Sequence, residues 1–358
     1  MSKYKTCKGF KDLMPADYKR YMFLKDSIEE VGNLYGYKPV QPACIDESNL
    51  FKDCYDKEIE SNLFTIDGRF INSASLNFDS TVSVLRGVVE SKLYVDKSLP
   101  LKLMYLNNMY RYNRRDKSKA CYTQFGFECI ADKSPYLDVE HILANIKVLS
   151  SLGFNNYNLR ICNIGEEEEY YKTIINCLDN LDVGYEEDDN IDNLPYCTGI
   201  AFSIDVDEYD SVIYGGRYDG LIDIIGNVLV GCVGSKVNFD KLIKLMDDYE
   251  SFPDFKEEVD FYIIPVNSRC FEYGLGISEI LRDYGAVVEI HYKEYDLKRL
   301  DDLLDRVNVT YSLVIDEEDV KKKTVKVRNS LSKQQSCVLL KDFLKDLESL
   351  EEHHHKGE

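Results

Sequence analysis

The spacing of apolar residues predicts an amphipathic helix near the start of the chain. After Pro15, apolar side chains recur three and four positions apart, which is the period of one helical face. These positions are Tyr21, Leu24, Ile28, Val31 and Leu34. Proline is favoured in the first turn of a helix and glycine just past its end, so we expect the helix to run from Pro15 to about Gly36.

Two later stretches carry the pattern of paired strands. Residues 101–113 and 121–130 arrange apolar and polar side chains as strands do, and the polar run Arg114–Lys119 lies between them. Two strands joined by a short polar loop form an antiparallel hairpin. The region from Glu166 to Asn193 is rich in acidic residues and Asn, which is typical of a solvated helix followed by a linker.

The pattern changes after Pro253, where apolar runs alternate with helical periodicity. The predicted elements are a strand at 259–266, a helix to Tyr284, strands at 286–290, 311–315 and 326–328, a helix from Leu297 and a terminal helix. Strands that alternate with helices imply a small, mostly parallel α/β domain. We therefore expect two domains, at residues 1–252 and 258–350.

Composition agrees with a folded protein of two domains. The chain has 358 residues, of which 44% are hydrophobic, enough to bury a large core. We find neither an apolar stretch of the roughly 20 residues that a membrane helix needs nor a signal peptide, so we expect a cytoplasmic location and no membrane partner. The eleven cysteines form no CxxC pairs, and the His353–His355 run is taken as solvated, so no metal site and no cofactor are predicted.

Charge bears on the class of partner. The formal net charge is −20 at pH 7. Binding a nucleic acid requires a clustered excess of Lys and Arg that neutralises phosphates and releases their counterions. Nucleic acid, including tRNA, is therefore disfavoured as a partner unless a local basic patch exists.

Several short motifs resemble those of histidyl-tRNA synthetases and of their non-synthetase paralogue, the regulatory subunit of ATP phosphoribosyltransferase. The matching segments are Gly9–Pro15, Leu76–Thr81, Tyr110–Arg114, Gln124–Glu128, Tyr196–Gly199, Tyr214–Leu221 and Val233–Leu242. The segment Tyr214–Leu221 is the most specific of them. The resemblance implies an α+β class II aminoacyl-tRNA synthetase-like fold, an antiparallel sheet core with helices, followed by a smaller α/β anticodon-binding-like domain.

The same resemblance implies a histidine-like ligand pocket. Its residues would be Asp79, Thr81, Arg111, Gln124, Glu128, Tyr196, Arg217 and Tyr218. The chemistry suits a small zwitterion, because a guanidinium holds a carboxylate through two parallel hydrogen bonds and carboxylates accept from an ammonium or an imidazole.

Local geometry adds two expectations about this pocket. Residues two or four apart on a strand share a face, so three pairs are expected to project from one side of a sheet: Arg111 with Asn113, Gln124 with Glu128, and Asp79 with Thr81. Gly215 and Gly216 are expected to form a tight turn that demands positive φ, a conformation that glycine adopts without strain.

The chain departs from the synthetase pattern where the nucleotide would bind. Asp192 falls at the position of a catalytic arginine, Lys241 at that of a planar cation, and Asn113 at that of a motif 2 carboxylate. Adenylation needs positive charge against the phosphates, and an ammonium does not reproduce the fork of a guanidinium. We therefore predict a degenerate nucleotide site, no catalytic residues and no enzymatic activity.

Spacing favours the paralogue over the synthetase. Only residues 129–195 separate the motif 2 match, Tyr110–Arg114 with Gln124–Glu128, from the Tyr196 segment. The inserted domain with which synthetases clamp tRNA is therefore expected to be absent. The leading hypothesis is a non-catalytic subunit required by a short-form ATP phosphoribosyltransferase in histidine biosynthesis. Histidine is its expected ligand, and a homodimeric core is expected from Pro42, which falls at the motif 1 proline.

Two alternatives remain open at this point. The first is a divergent histidyl-tRNA synthetase, an ATP-dependent ligase. The second is a free-standing amino-acid-binding module.

Overall fold

The structure is a computed structural model of the whole chain. It describes residues 3–55, 57–68, 71–95, 100–112, 120–131, 133–191, 196–255, 259–293, 300, 304, 309–329 and 332–345. The chain divides into two compact units, Met1–Pro253 and Asp254–Glu358.

The first unit combines helices and strands. Its helices are α1 (Pro15–Leu34), α2 (Ser48–Cys54), α3 (Ser80–Glu90), α4 (Pro135–Ser151), α5 (Glu168–Asn180), α6 (Asp219–Gly226) and α7 (Phe239–Asp248). Its strands are β1 (Lys38–Pro39), β2 (Ile45–Glu47), β3 (Thr65–Gly68), β4 (Ile71–Leu76), β5 (Leu101–Tyr110), β6 (Cys121–Ala131), β7 (Asn158–Asn163), β8 (Glu186–Glu187), β9 (Ile200–Val206), β10 (Tyr209–Arg217) and β11 (Gly231–Asn238).

One large sheet organises this unit. Its eight strands follow the order β1-β5-β6-β11-β10-β9-β7-β8, and β2-β4-β3 form a separate small sheet. The central pairs are antiparallel, whereas β1 with β5 and β7 with β8 pair in parallel at the two edges. Among the described residues, no helix combines the length and apolar character needed to cross a bilayer.

Helices cover both faces of the large sheet, and β6 shows how the two faces differ. Phe125 and Phe127 belong to the core that also contains buried residues of α1, α4, α5 and α7. Gln124 and Glu128 alternate with them and meet Tyr105 and Tyr218, which belong to the core beneath α2, α3 and α6. Because strand side chains alternate between faces, one strand thus supplies an apolar layer and a polar site.

The principal sequence predictions for this unit are confirmed. Helix α1 begins at Pro15, and β5 and β6 form the antiparallel hairpin, although its loop at 113–119 lies outside the described residues. The acidic region does contain a helix, α5, whose Ile174 and Leu178 are buried against the core. The short strand β8 follows it, where only a linker was predicted.

The stretch between β6 and Tyr196 is built into the first unit. Its described elements are α4, β7, α5 and β8, and both strands belong to the large sheet. These described residues therefore form no domain of their own.

The expectation of a tight turn at Gly215 and Gly216 is wrong. Both residues lie inside β10, and neither is among the residues with positive φ. Glycine is required there by close approach instead: a Cβ on Gly215 would collide with the carbonyl of Gly234, and one on Gly216 with the carbonyl of Ile200.

The second unit is a small α/β fold. Its elements are β12 (Val259–Pro265), α8 (Phe271–Asp283), β13 (Val288–Ile290), β14 (Val309–Ile315), α9 (Glu317–Lys322), β15 (Thr324–Asn329) and β16 (Gln335–Leu339), and residues 340–345 are helical. Strand β12 is parallel to β13 and β14, but β15 and β16 are antiparallel. The sheet is therefore mixed rather than mostly parallel. The start of the helix predicted from Leu297 lies outside the described residues.

Candidate functional site

A cluster of buried polar side chains lies between the large sheet and α3. We call it the pocket cluster. It consists of the carboxyl groups of Asp79 and Glu128, the ammonium of Lys236, and the hydroxyls of Tyr55, Thr81, Tyr105, Tyr196 and Tyr218. Buried polar groups are tolerated when they are hydrogen-bonded to one another, and each of these is.

Asp79 is the centre of the cluster. It caps the N-terminus of α3, where its Oδ1 accepts from the Thr81 backbone N–H at 3.0 Å. Its Oδ2 accepts from the Tyr196 hydroxyl at 2.9 Å, from the Lys236 ammonium at 2.5 Å and from the Tyr55 hydroxyl. Burial acts to raise the pKa of Asp79, but the positive charges of Lys236 and Arg111 outweigh it and hold the pKa below its ordinary value. The carboxylate is therefore ionised.

Lys236 supplies the positive charge from β11. Its side chain is 2% exposed, and its Nζ lies 2.7 Å from the Tyr196 hydroxyl as well as 2.5 Å from Asp79. An isolated ammonium in this position would lose its hydration without compensation. The ion pair with Asp79 and the bond to Tyr196 provide that compensation.

Glu128, which lies on β6, accepts hydrogen bonds from two hydroxyl groups. The Thr81 Oγ1 donates to it at 2.7 Å, and the Tyr218 hydroxyl donates to its other oxygen. Burial raises the pKa of Glu128 to about 8, so the carboxyl group is mostly neutral at pH 7. Gly234 pairs with Glu128 across β11 and β6, and a Cβ there would overlap the carboxyl group and the Tyr218 hydroxyl. Glycine at position 234 thus allows the Glu128 and Tyr218 side chains to meet.

Gln124 and Arg111 lie next to the pocket cluster. The Gln124 amide donates to the Tyr105 hydroxyl at 2.8 Å, and that hydroxyl lies 3.3 Å from the Thr81 Oγ1. The Arg111 guanidinium stacks on the Phe78 ring, 4.4 Å from its centroid, and donates to the Phe78 carbonyl at 3.3 Å. Arg111 therefore stands beside the cluster and adds positive charge to it.

The structure brings together most of the residues that sequence predicted for the pocket. Asp79, Thr81, Gln124, Glu128, Tyr196 and Tyr218 share one network, with Arg111 next to it. The expectation that Asp79 and Thr81 lie on a strand is wrong, because they form the N-cap and first turn of α3. The Asp-Ser-Thr run was the available signal, since these residues favour helix N-termini.

Sequence reasoning missed Lys236, Tyr55 and Tyr105. For Lys236 a signal existed, because it lies between Val233 and Val237 in a strand of small and apolar residues. Lysine is almost never fully buried unless it is paired, so a lysine in such a run points to a buried carboxylate. The identity of that carboxylate could not be found from spacing.

Arg217 belongs to a different group, which we call the Arg217 cluster: Arg217, Asp138, Glu166, Tyr170 and Asp219. The guanidinium is 1% exposed and lies 2.5 Å from Asp138 and 2.9 Å from Asp219. Burial raises the pKa of Asp138 to about 6, although Arg217 opposes the shift. These bonds tie β10 to α4 and α6, so the contacts of Arg217 are structural and do not involve the ligand pocket predicted for it.

Of the three positions predicted for the degenerate nucleotide site, the structure describes one, Lys241. Asn113 and Asp192 lie outside the described residues. Lys241 lies in the first turn of α7, where its backbone N–H donates to the Asn238 cap and its ammonium donates to the carbonyl of Asp210. The ammonium is thus engaged by the protein's own backbone.

A cavity of about 310 Å³ adjoins the pocket cluster. Tyr55 and Tyr196, both donors to Asp79, are among its walls, together with Cys54, Leu221 and Ile224. The cavity is therefore separated from the buried Asp79 carboxylate by one layer of side chains.

Comparison with protein families agrees with the motifs. Residues 9–168 match the family described as histidyl-tRNA synthetase, and residues 260–350 match that described as anticodon binding domain. The histidine–tRNA ligase of Staphylococcus carnosus is 22% identical over 422 aligned positions, covering 97% of this chain and 98% of that protein. That of Staphylococcus saprophyticus is 23% identical over 396 positions, covering 90% and 94%.

Solved structures share the fold. Apo histidyl-tRNA synthetase of Staphylococcus aureus superposes with a TM-score of 0.84 at 23% identity, covering 96% of this chain and 99% of that one. An ATP phosphoribosyltransferase regulatory subunit/histidyl-tRNA synthetase from Bacillus halodurans gives 0.70 at 17% identity, covering 88% and 100%. The chain therefore has the class II histidyl-tRNA synthetase-like fold with an anticodon-binding domain.

Proposed function

We propose that this histidyl-tRNA synthetase-like chain is a non-catalytic regulatory subunit of an ATP phosphoribosyltransferase. It supports the activity, and the histidine feedback inhibition, of a separate short-form catalytic subunit. The observation that carries the non-catalytic part is the engagement of both pocket carboxyl groups by the chain's own donors, Lys236 for Asp79 and two hydroxyls for Glu128. An amino-acid ligase needs such acceptors open toward its substrate.

The nucleotide side supports the same conclusion. Catalysis of adenylation depends on preorganised positive charge where negative charge develops. Lys241 stands where a planar cation is expected, and its ammonium donates to the Asp210 carbonyl. The net charge of −20 also opposes binding of tRNA.

The choice of partner is supported by fold and by spacing. One of the solved proteins with this fold is described as an ATP phosphoribosyltransferase regulatory subunit/histidyl-tRNA synthetase. The alignment with the Staphylococcus carnosus ligase spans 422 positions, more than the 358 residues of this chain, so the ligase has segments without a counterpart here. The described residues between β6 and Tyr196 form no separate domain, and such a chain suits a regulatory role better than aminoacylation.

Co-expression with a tagged short-form ATP phosphoribosyltransferase tests the proposal. We expect the two chains to co-purify and the catalytic subunit to gain activity that it lacks alone. The matched control replaces this chain with the Staphylococcus aureus ligase, which should neither bind nor activate. Failure of association together with failure of activation would overturn the proposed partner.

The second candidate is a divergent histidyl-tRNA ligase, and the curated relatives named histidine–tRNA ligase favour it. Histidine-dependent ATP–pyrophosphate exchange separates the two. We expect none above background, because loss of one preorganised contact lowers a rate by roughly a hundred- to a thousandfold and this chain departs at more than one. Robust exchange would establish the ligase and remove the non-catalytic proposal.

A further inference from the structure

We infer that Lys236 is a built-in ammonium that occupies the acceptor set formed by Asp79 and Tyr196 and so excludes free amino acids and other primary amines from the pocket. The inference deepens the proposed function. It rests only on the part that assigns no ligase chemistry to this pocket, and not on the identity of the partner.

The geometry of the ammonium carries the first step. Lys236 Nζ lies 2.5 Å from the Asp79 carboxylate and 2.7 Å from the Tyr196 hydroxyl, both on buried side chains. These are hydrogen-bond distances for a charged donor. They are also the contacts that an external amine would need, since a carboxylate and a phenol oxygen are the acceptors that an ammonium recognises.

Covalent attachment gives Lys236 the advantage over a free amine. A free molecule loses translational and rotational freedom on binding, whereas the lysine ammonium is held beside Asp79 by the strand β11. When Lys236 and a free amine compete for Asp79 and Tyr196, the covalently attached Lys236 ammonium is therefore favoured at ordinary concentrations of the amine.

Charge balance gives a second, independent reason. Asp79 contributes one negative charge and Lys236 one positive charge, and Arg111 adds further positive charge nearby. Glu128 is already bonded to Thr81 and Tyr218. A second ammonium in the pocket would lie close to the Lys236 ammonium and would find no free carboxylate to balance its charge. Like charges in a buried site repel strongly.

A regulatory assembly containing this chain then senses histidine elsewhere. The pocket cluster instead acts as a closed, internally paired core between α3 and the sheet. The exclusion of external amines is decided by one side chain, because Lys236 is the only member of the described cluster that carries an amine.

The test removes that side chain and supplies the missing part as a ligand. Lys236→Ala deletes four atoms that correspond to n-propylammonium. We expect n-propylammonium chloride to raise the Tm of Lys236→Ala relative to equal sodium chloride, and calorimetry to show binding at least tenfold tighter than to the wild type. Neutral 1-propanol should give no such effect, because it lacks the charge that Asp79 requires.

Two matched variants define the controls. Lys236→Met fills the space without the charge, so n-propylammonium should not stabilise it. Lys172→Ala removes a lysine that is 59% exposed on α5 and should respond as the wild type does. Asp79→Asn combined with Lys236→Ala removes the negative charge that holds an ammonium, and should abolish amine binding.

Several outcomes would overturn the inference. One is histidine or n-propylammonium binding to the wild type that Asp79→Asn abolishes. Another is a folded Lys236→Ala that amines do not stabilise. If Lys236→Ala does not fold alone, refolding in n-propylammonium but not in sodium chloride supports the inference, and no refolding in either contradicts it. Co-purification with the partner is scored separately, so the two proposals can fail independently.

Discussion

The pocket cluster and the Arg217 cluster contain neighbouring residues of one motif but differ in how their buried charges are held. Arg217 and Tyr218 are adjacent in one motif, yet Arg217 joins Asp138 and Asp219 while Tyr218 joins Glu128. A guanidinium presents several donors in a rigid fork and can join helices and a strand at once. The ammonium of Lys236 is a point charge held mainly by one carboxylate and one hydroxyl.

This difference shows which buried charged groups make contacts that a small-molecule ligand could make in their place. The guanidinium of Arg217 bridges α4, β10 and α6, so no small molecule could replace its connections between elements. The Lys236 ammonium makes contacts that a free amine could reproduce. The pocket cluster is therefore a ligand site filled by the protein, and the Arg217 cluster is a structural junction.

The largest expected effect comes from breaking the structural junction. Arg217→Met should lower the free energy of unfolding by about 3–5 kcal/mol, because it leaves the buried Asp138 carboxylate without its cation. Urea unfolding followed by tyrosine fluorescence measures this. Arg269→Met removes an exposed pair with Glu317 and should cost less than about 1 kcal/mol. If Arg217→Met lowered the free energy of unfolding by less than about 1 kcal/mol, the Arg217 cluster would not be a structural junction.

The next effect uses pH to separate the clusters. Glu128 has a pKa of about 8 in the fold against 4.5 ordinarily, so the folded state keeps a proton that the unfolded state releases. Its contribution to stability is complete below pH 4.5 and is lost as pH rises toward 8. From pH 6.5 to 8 the free energy of unfolding should fall by about 1.5–2 kcal/mol, at close to 1.4 kcal/mol per pH unit.

Other buried groups titrate mainly below this window. Asp138, with a pKa raised to about 6 by burial, loses its contribution mostly before pH 6.5. His141, whose pKa burial lowers to about 3, acts between that value and 6.5. Chemical unfolding at pH 6.5, 7.2 and 8 should therefore show a slope in the wild type that is absent in Glu128→Gln. An equal slope in both proteins would show that Glu128 is ionised in the fold.

The smallest expected effect is the difference in stability between losing one hydroxyl from each cluster. Tyr196→Phe removes a bond to Asp79 and one to Lys236, both charged, and should cost about 1.5–3 kcal/mol. Tyr170→Phe removes a bond to Asp138 and one from Arg217, but from a half-buried ring that water can reach, so it should cost about 1 kcal/mol less. Urea midpoints at constant pH measure the difference. A larger loss for Tyr170→Phe would place the tighter network around Arg217.

Local sequence patterns predicted elements well and contacts poorly. The α1 helix and the β5–β6 hairpin follow from periodicity and turn residues, which act within a few positions. The mixed sheet of the second unit was missed because strand direction depends on connections between elements. Gly215 and Gly216 were misassigned because their reason is a neighbouring strand and not their own backbone angles.

The sequence by itself determined the class of fold and most of the motif residues that meet at the pocket. It did so because those features lie in contiguous segments whose residue types carry their own signal. Only the tertiary structure decided that Lys236 meets Asp79, 157 positions away, and that Arg217 turns from Tyr218 toward Asp138. Pairing of buried charges depends on which side chains the fold brings within hydrogen-bond distance, and spacing along the chain does not determine that distance.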